Sequence, residues 1–193
     1  KINAFKRFGT AMIKFNNYDI EFVGARKESY SIDSRKPSIE EGSFMDDISR
    51  RDFTINTLAI RLNKKHFGEL VDTFDGISDI ENRIIRTPRD PDKTFADDPL
   101  RMLRAIRFSS QLDFLIDKKT QDSIVKNVDR IKILSPERIS DEVNKILMSN
   151  NPSKGFKELD NLNLLSKILP ELTDLKGIEE IEGQTHKDNF YHT

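Results

Sequence analysis

The chain has 193 residues, 36% hydrophobic and 34% charged, with a formal net charge of −1. That is enough polypeptide for one large domain or two small ones with a real core; no apolar run approaches the roughly 18 residues of a membrane span, and the absence of Cys excludes disulfides and Cys-ligated zinc. The charge sum argues against a uniformly basic nucleic-acid binder, but arginine is concentrated at Arg50-Arg51 and at Arg101, Arg104 and Arg107, and a triphosphate needs only such a focus.

Lys1-Ile2-Asn3 carries no initiator Met and no apolar segment, so no signal peptide is expected and a cytoplasmic setting is. Both ends read as internal to a longer polypeptide. Residues 10–15 and 20–25 are strand-like runs around the turn-forming Asn16-Asn17-Tyr18-Asp19, which predicts a hairpin. Residues 27–47 are polar and aperiodic, predicting mostly a long functional loop. Helical character starts at residue 48. Residues 58–62 then alternate like a strand, and residues 69–72 form another after the Asn63-Lys64-Lys65 turn. Asp75-Gly76 is a turn, residues 77–83 a short helix, and Ile84-Ile85-Arg86 completes the sheet-rich part.

From Asp97 the pattern becomes helical. Leu100, Leu103, Ala105, Ile106 and Phe108 give an apolar face to a helix over about 99–112, and a second helix covers 117–127. A third opens at Ser135-Pro136, a cap followed by Pro at the first position, and carries Ile139, Val143, Ile146 and Leu147 on one face. Leucines 159, 162, 164, 165 and 169 mark further helices over 152–170. The fold class expected is α+β: a sheet-bearing head over 1–88, a helical neck over 89–150 and a helical body over 151–182.

Two blocks carry chemistry. In Asp97-Asp98-Pro99-Leu100-Arg101-Met102-Leu103-Arg104-Ala105-Ile106-Arg107-Phe108, Pro99 and the two carboxylates suit a helix start. Asp98, Arg101, Arg104 and Arg107 recur every third residue. At about 100° per residue each step falls short of a full turn by roughly 60°, which makes a spiral stripe beside the apolar one. Such a stripe is either a solvated face or a surface that reads one bound molecule. An Asp acceptor beside an Arg donor complements an exocyclic amino group next to a ring-nitrogen acceptor, the pair on the Watson–Crick edges of cytosine and adenine. Uracil and guanine present the reverse pattern, and each mispaired buried group costs about 1–3 kcal/mol. The second block, Ser49-Arg50-Arg51-Asp52-Phe53-Thr54-Ile55-Asn56-Thr57-Leu58-Ala59, places Arg, Asp and Asn on adjacent turns; a capped helix entrance with ordinary surface charge is the plainer alternative.

RRDFTINTLA, DGISDI at 75–80, DDPLRMLRAIRF at 97–108 and ERISDEVNKIL at 137–147, in that order, resemble the successive motifs of class II tRNA nucleotidyltransferases, the CCA-adding enzymes and related bacterial poly(A) polymerases, from about residue 8 to the end. The resemblance implies a template-independent nucleotidyltransferase using CTP and ATP, with Mg²⁺ as cofactor and the tRNA 3′ end as partner. It implies that Asp98 and Arg101 pair with the incoming base and that Arg104 and Arg107 contact the nucleotide at its phosphates. Arg51, Asp52 and Asn56 would recognise ribose and triphosphate, and Glu21 would be the third acidic residue of the metal site. Glu137, Arg138 and Glu142 resemble a structural support motif, and residues 27–47 a mobile loop of the catalytic head.

The sequence departs from the pattern at Asp97, where Glu is usual, and at Thr57, where Ala is common. The glycine-rich turn and paired Asp-x-Asp that hold Mg²⁺ in the family are expected upstream of Lys1, which makes this chain the nucleotide-selecting fragment of a longer enzyme and inactive by itself. Residues 183–193 resemble the opening of an HD-type phosphohydrolase domain, with His192 as a candidate first metal ligand and His186 six residues before it. The alternatives left open are poly(A) addition, a non-catalytic RNA-binding module, and part of an HD phosphohydrolase.

Overall fold

A computed structural model describes residues 2–5, 9–31, 34–177, 180–181, 184–185, 188 and 190. The first strands, β1 (Ile2–Phe5), β2 (Thr10–Phe15) and β3 (Tyr18–Val23), form an antiparallel sheet in that order. The expected hairpin turns at Asn16, whose φ of 53° lies in the left-handed region that Asn tolerates.

The described residues of 27–47 are mostly strand and helix, not a long loop. β4 (Arg26–Ser31) and β5 (Ser34–Glu41) pair antiparallel, setting Arg26 opposite Glu41 and Lys27 opposite Glu40. Opposite charges facing each other across a ladder stabilise it as apolar pairs do elsewhere, and no apolar alternation within either strand announces it. α1 (Phe44–Ser49) follows behind a capping box, in which the Asp46 N–H donates to Ser43 Oγ at 3.1 Å and the Ser43 N–H donates to Asp46 Oδ2 at 2.8 Å. A 3₁₀ turn at Thr54–Asn56 leads into the small hairpin of β6 (Ala59–Ile60) and β7 (Leu70–Val71), then α2 (Gly76–Glu81). β8 (Ile84–Ile85) does not pair with the earlier strands; it lies parallel to β9 (Leu115–Ile116), on the far side of the central helix in sequence.

A helix not anticipated from the sequence, α3 (Pro91–Asp97), starts where the Asp90 side chain accepts the N–H groups of Asp92 and Lys93. It ends at Asp98, and α4 (Leu100–Leu112) begins at once. α5 (Lys118–Asn127), α6 (Pro136–Leu147), α7 (Pro152–Asn161) and the single turns α8 (Leu165–Ile168) and α9 (Pro170–Thr173) complete the helical part as expected. β10 (Glu180–Ile181) pairs with β11 (Gln184–Thr185).

The core is organised around α4. Met102, Leu103 and Ile106 are fully buried on one side of it, against Phe95 of α3 and Ile146 of α6; Phe53 and Ile85 join the same cluster. Each large aliphatic side chain withdrawn from water there contributes about 1.5–3 kcal/mol. α7 closes on this core because Gly155 has no side chain: a Cβ there would lie 2.4 Å from Ile146 Cγ2. Among the described residues no helix is long and apolar enough to cross a membrane.

Candidate functional site

A cavity of about 760 Å³ opens between the β3–β4 connection, α1, the segment after it, and α4. Burial of Met102, Leu103 and Ile106 fixes the rotation of α4. Arg101, Arg104 and Phe108, at i, i+3 and i+7, are thereby turned to the cavity, beside Asp98 at the helix entrance.

Asp98 Oδ1 accepts the Leu100 N–H at 3.2 Å, so the carboxylate caps the start of α4 while lining the cavity. Arg101 is only 7% exposed; its Nη2 donates to the Arg50 carbonyl at 2.6 Å and its Nη1 to the Thr94 carbonyl at 3.5 Å. Two backbone carbonyls on opposite sides thus orient the guanidinium without neutralising it. Arg104 reaches one oxygen of Asp52, Oδ2, with both Nε at 2.7 Å and Nη2 at 2.5 Å. Asp52 also accepts the Phe53 N–H and the Asn56 amide, both at 2.9 Å. Arg51 donates to the Asn56 carbonyl at 3.2 Å and to Asp47 at 3.3 Å. The structure therefore brings Asp98, Arg101, Arg104, Arg51, Asp52 and Asn56 to one cavity.

Arg107 is not among them. The roughly 60° drift per three-residue step that winds the stripe around α4 has carried it out of the cavity by the fourth member. It is 8% exposed, paired with Glu142 of α6 at 3.3 Å and stacked 4.3 Å from the Phe108 ring centre. Burial, partly offset by Glu142, holds its pKa below the usual arginine range.

Three more arginines line the cavity: Arg26, which sequence reasoning missed, Arg50, which it noted only as part of the Arg50-Arg51 charge focus, and Arg138, which it assigned to structural support. The partners of Arg50, Glu28 at 3.0 Å and Asp47 at 2.5 Å, lie on β4 and α1. Burial opposes ionisation of Asp47, yet the hydrogen bonds and charges of Arg50 and Arg51 outweigh it and hold the carboxyl below its ordinary range. Six guanidiniums face three carboxylates along the cavity, a surplus of positive charge suited to a polyanion.

Glu21 is exposed on β3, opposite Met12 in register, and does not line the cavity. Among the described residues no group of three or more His, Asp or Glu side chains could hold a metal ion. Asp47 and Asp52 are each tied to arginines. The described residues therefore do not fit a divalent-metal site. His186 and His192 lie outside the described residues.

Comparison with known proteins places this geometry. The family described as the poly(A) polymerase head domain matches residues 1–86, and the probable RNA- and SrmB-binding site of polymerase A matches residues 113–176. The nucleotidyltransferase lcsQ of Purpureocillium lilacinum is 45% identical over 151 residues, 76% of this chain and 25% of that protein. A CCA-adding enzyme of Staphylococcus epidermidis is 38% identical over 167 residues, 84% of this chain and 40% of that protein. A solved structure of a CCA-adding enzyme in complex with ATP superposes with a TM-score of 0.73 at 32% identity, covering 89% of this chain and 39% of that one. The chain thus spans 25–40% of the length of these curated relatives.

Proposed function

Because the chain belongs to the class II CCA-adding enzyme and poly(A) polymerase family, covering its head and RNA-binding regions, we propose that it is the nucleotide-selecting part of a template-independent nucleotidyltransferase that adds CCA, from CTP and ATP, to tRNA 3′ ends. The observation that carries this reading is that Asp98 and Arg101, an acceptor and a donor, both line the cavity and are each oriented by backbone contacts. Arg101 is held by carbonyls, so its full charge and its remaining N–H groups stay available to a ring nitrogen. Asp98 supplies the acceptor for the neighbouring amino group. Arg104, with Asp52 and Asn56 behind it, and Arg51 take the ribose and phosphates. Arg107 serves the site from outside, by fixing α6 on α4 through Glu142.

Nucleotidyl transfer draws on divalent-metal chemistry. The described residues do not fit that group, so the role proposed for this chain ends at choosing and holding the nucleotide, and binding is separable from turnover.

The test is equilibrium titration of the 193-residue chain with each nucleoside triphosphate. CTP and ATP are expected to bind at least about fivefold more tightly than UTP and GTP, from one mispaired group at about 1–3 kcal/mol. Arg101→Ala is expected to abolish that preference for both. Indistinguishable affinities for all four nucleotides overturn the proposal. In the full-length protein, extension of tRNA lacking its 3′ end, assayed with each triphosphate singly, separates CCA addition from poly(A) addition.

A further inference from the structure

Pro136 and Ser135 set the start of α6, which puts Arg138 and Glu142 four residues apart on one face of the helix. Glu142 is 3% exposed and is held by Arg107 of α4 at 3.3 Å and by Lys145 at 2.9 Å. Those contacts fix the rotation of α6 against α4. One turn earlier on the same face, Arg138 comes to the rim of the cavity, its side chain exposed to solvent.

The other cavity-lining arginines are committed. Arg26 and Arg50 pair with Glu28, Arg51 with Asp47 and Arg104 with Asp52, while Arg101 is bound to carbonyls. Arg138 makes no ion pair or side-chain hydrogen bond to another described residue. The adjacent carboxyl of Glu137 is turned to its own backbone and to Ser135, which lower its pKa. A planar guanidinium with its donors unspent, beside a cavity with surplus positive charge, matches a phosphate and breaks no existing contact on binding one.

We infer that Arg138 is a further phosphate-binding residue of this cavity, a ligand contact from the neck helix and not only part of its support. The nucleotide as source of the phosphate rests on the function proposed above; the phosphate chemistry itself does not.

The test titrates CTP, UTP, inorganic tripolyphosphate and a single-stranded RNA ending in the tRNA acceptor sequence into the 193-residue chain and into its Arg138→Ala and Arg138→Lys variants. Loss of one exposed charge-assisted contact is expected to weaken CTP and tripolyphosphate by the same factor, roughly five- to tenfold. The CTP-to-UTP ratio and the thermal midpoint should not change, and Arg138→Lys should recover part of the loss. If only the RNA arm weakens, and its log–log salt slope flattens by about 0.7, the phosphate belongs to the RNA strand. Unchanged affinity in every arm overturns the inference. A wild-type chain that fails to prefer CTP over UTP but loses tripolyphosphate on Arg138→Ala would refute the base-choice proposal and leave this one standing.

Discussion

Asp98→Asn tests the base-choice geometry with little change in shape. In the wild type the Leu100 N–H holds Oδ1 at 3.2 Å. An amide at this position keeps its carbonyl oxygen on that N–H and turns its NH₂ to where the second carboxylate oxygen stood. The acceptor offered to the base becomes a donor, facing the amino group of cytosine or adenine. Two like donors meeting in a confined site cost about 1–3 kcal/mol, roughly a five- to hundredfold loss for CTP and ATP. UTP and GTP, which present a carbonyl at the matching position, lose nothing there and can gain a hydrogen bond. Asn caps a helix start as well as Asp, so the cap on α4 is retained while the charge at its positive end is given up. The assay is a four-nucleotide titration of both proteins, with urea unfolding in parallel. If the variant binds CTP and ATP in the wild-type ratio to UTP and GTP, Asp98 does not read the base edge, whatever its effect on stability.

Arg104→Ala removes the guanidinium that holds Oδ2 of Asp52, a carboxylate only 7% exposed. Since the arginine itself is partly exposed, the expected cost is about 1–3 kcal/mol in urea unfolding, and Arg104→Lys should not restore it; a loss below about 0.5 kcal/mol would mark the pair as an ordinary surface bridge. Gly155→Ala forces a methyl group to within 2.4 Å of Ile146 Cγ2 and 3.1 Å of Ser110 Oγ, an overpacking cost of about 1–3 kcal/mol that should lower the thermal midpoint; an unchanged midpoint would show that α7 shifts freely. Burial pushes the Glu158 carboxyl above the ordinary range, opposed by the Ser109 hydroxyl, which donates to Glu158 Oε1 at 2.8 Å, and by the charge of Lys154. A raised carboxyl pKa means that stability is fully present below the unfolded value and declines as pH rises through the folded one; Glu158→Gln should flatten that decline in unfolding measured across pH, and an equal slope in both proteins would refute the assignment.

What the sequence revealed of the fold depended on whether an element advertises itself locally. α4 and α6 each bury one apolar stripe, and that spacing located them. The β2–β3 hairpin was legible because Asn16 tolerates the left-handed turn. β4 and β5 were not, since their complementarity is charge across the ladder, Arg26 to Glu41 and Lys27 to Glu40, and no within-strand pattern records it. α3 is a seven-residue helix whose buried members are Thr94 and Phe95, too short to show a period. The two-residue ladder between β8 and β9 exists only because α4 carries the chain back past Ile84 and Ile85.

The site follows the same division, and α4 explains it. Its polar stripe and its core stripe are set by one rotation, so fixing Met102, Leu103 and Ile106 in the core also decides which arginines can reach a ligand. Spacing alone put Arg101 and Arg104 on one stripe, and both line the cavity, but it could not show where the spiral leaves that cavity; Arg107 pairs with Glu142 instead. Arg26 and Arg138 enter from β4 and α6, and only the packing of those elements around α4 brings them to the same cavity. On the function proposed above, selection of the nucleotide would be coupled to packing behind the helix: a core substitution that rotated α4 by one such 60° step would carry Arg101 off its carbonyls and Arg104 off Asp52 together. A loss of base preference should then accompany loss of core stability, even though no ligand contact had been altered.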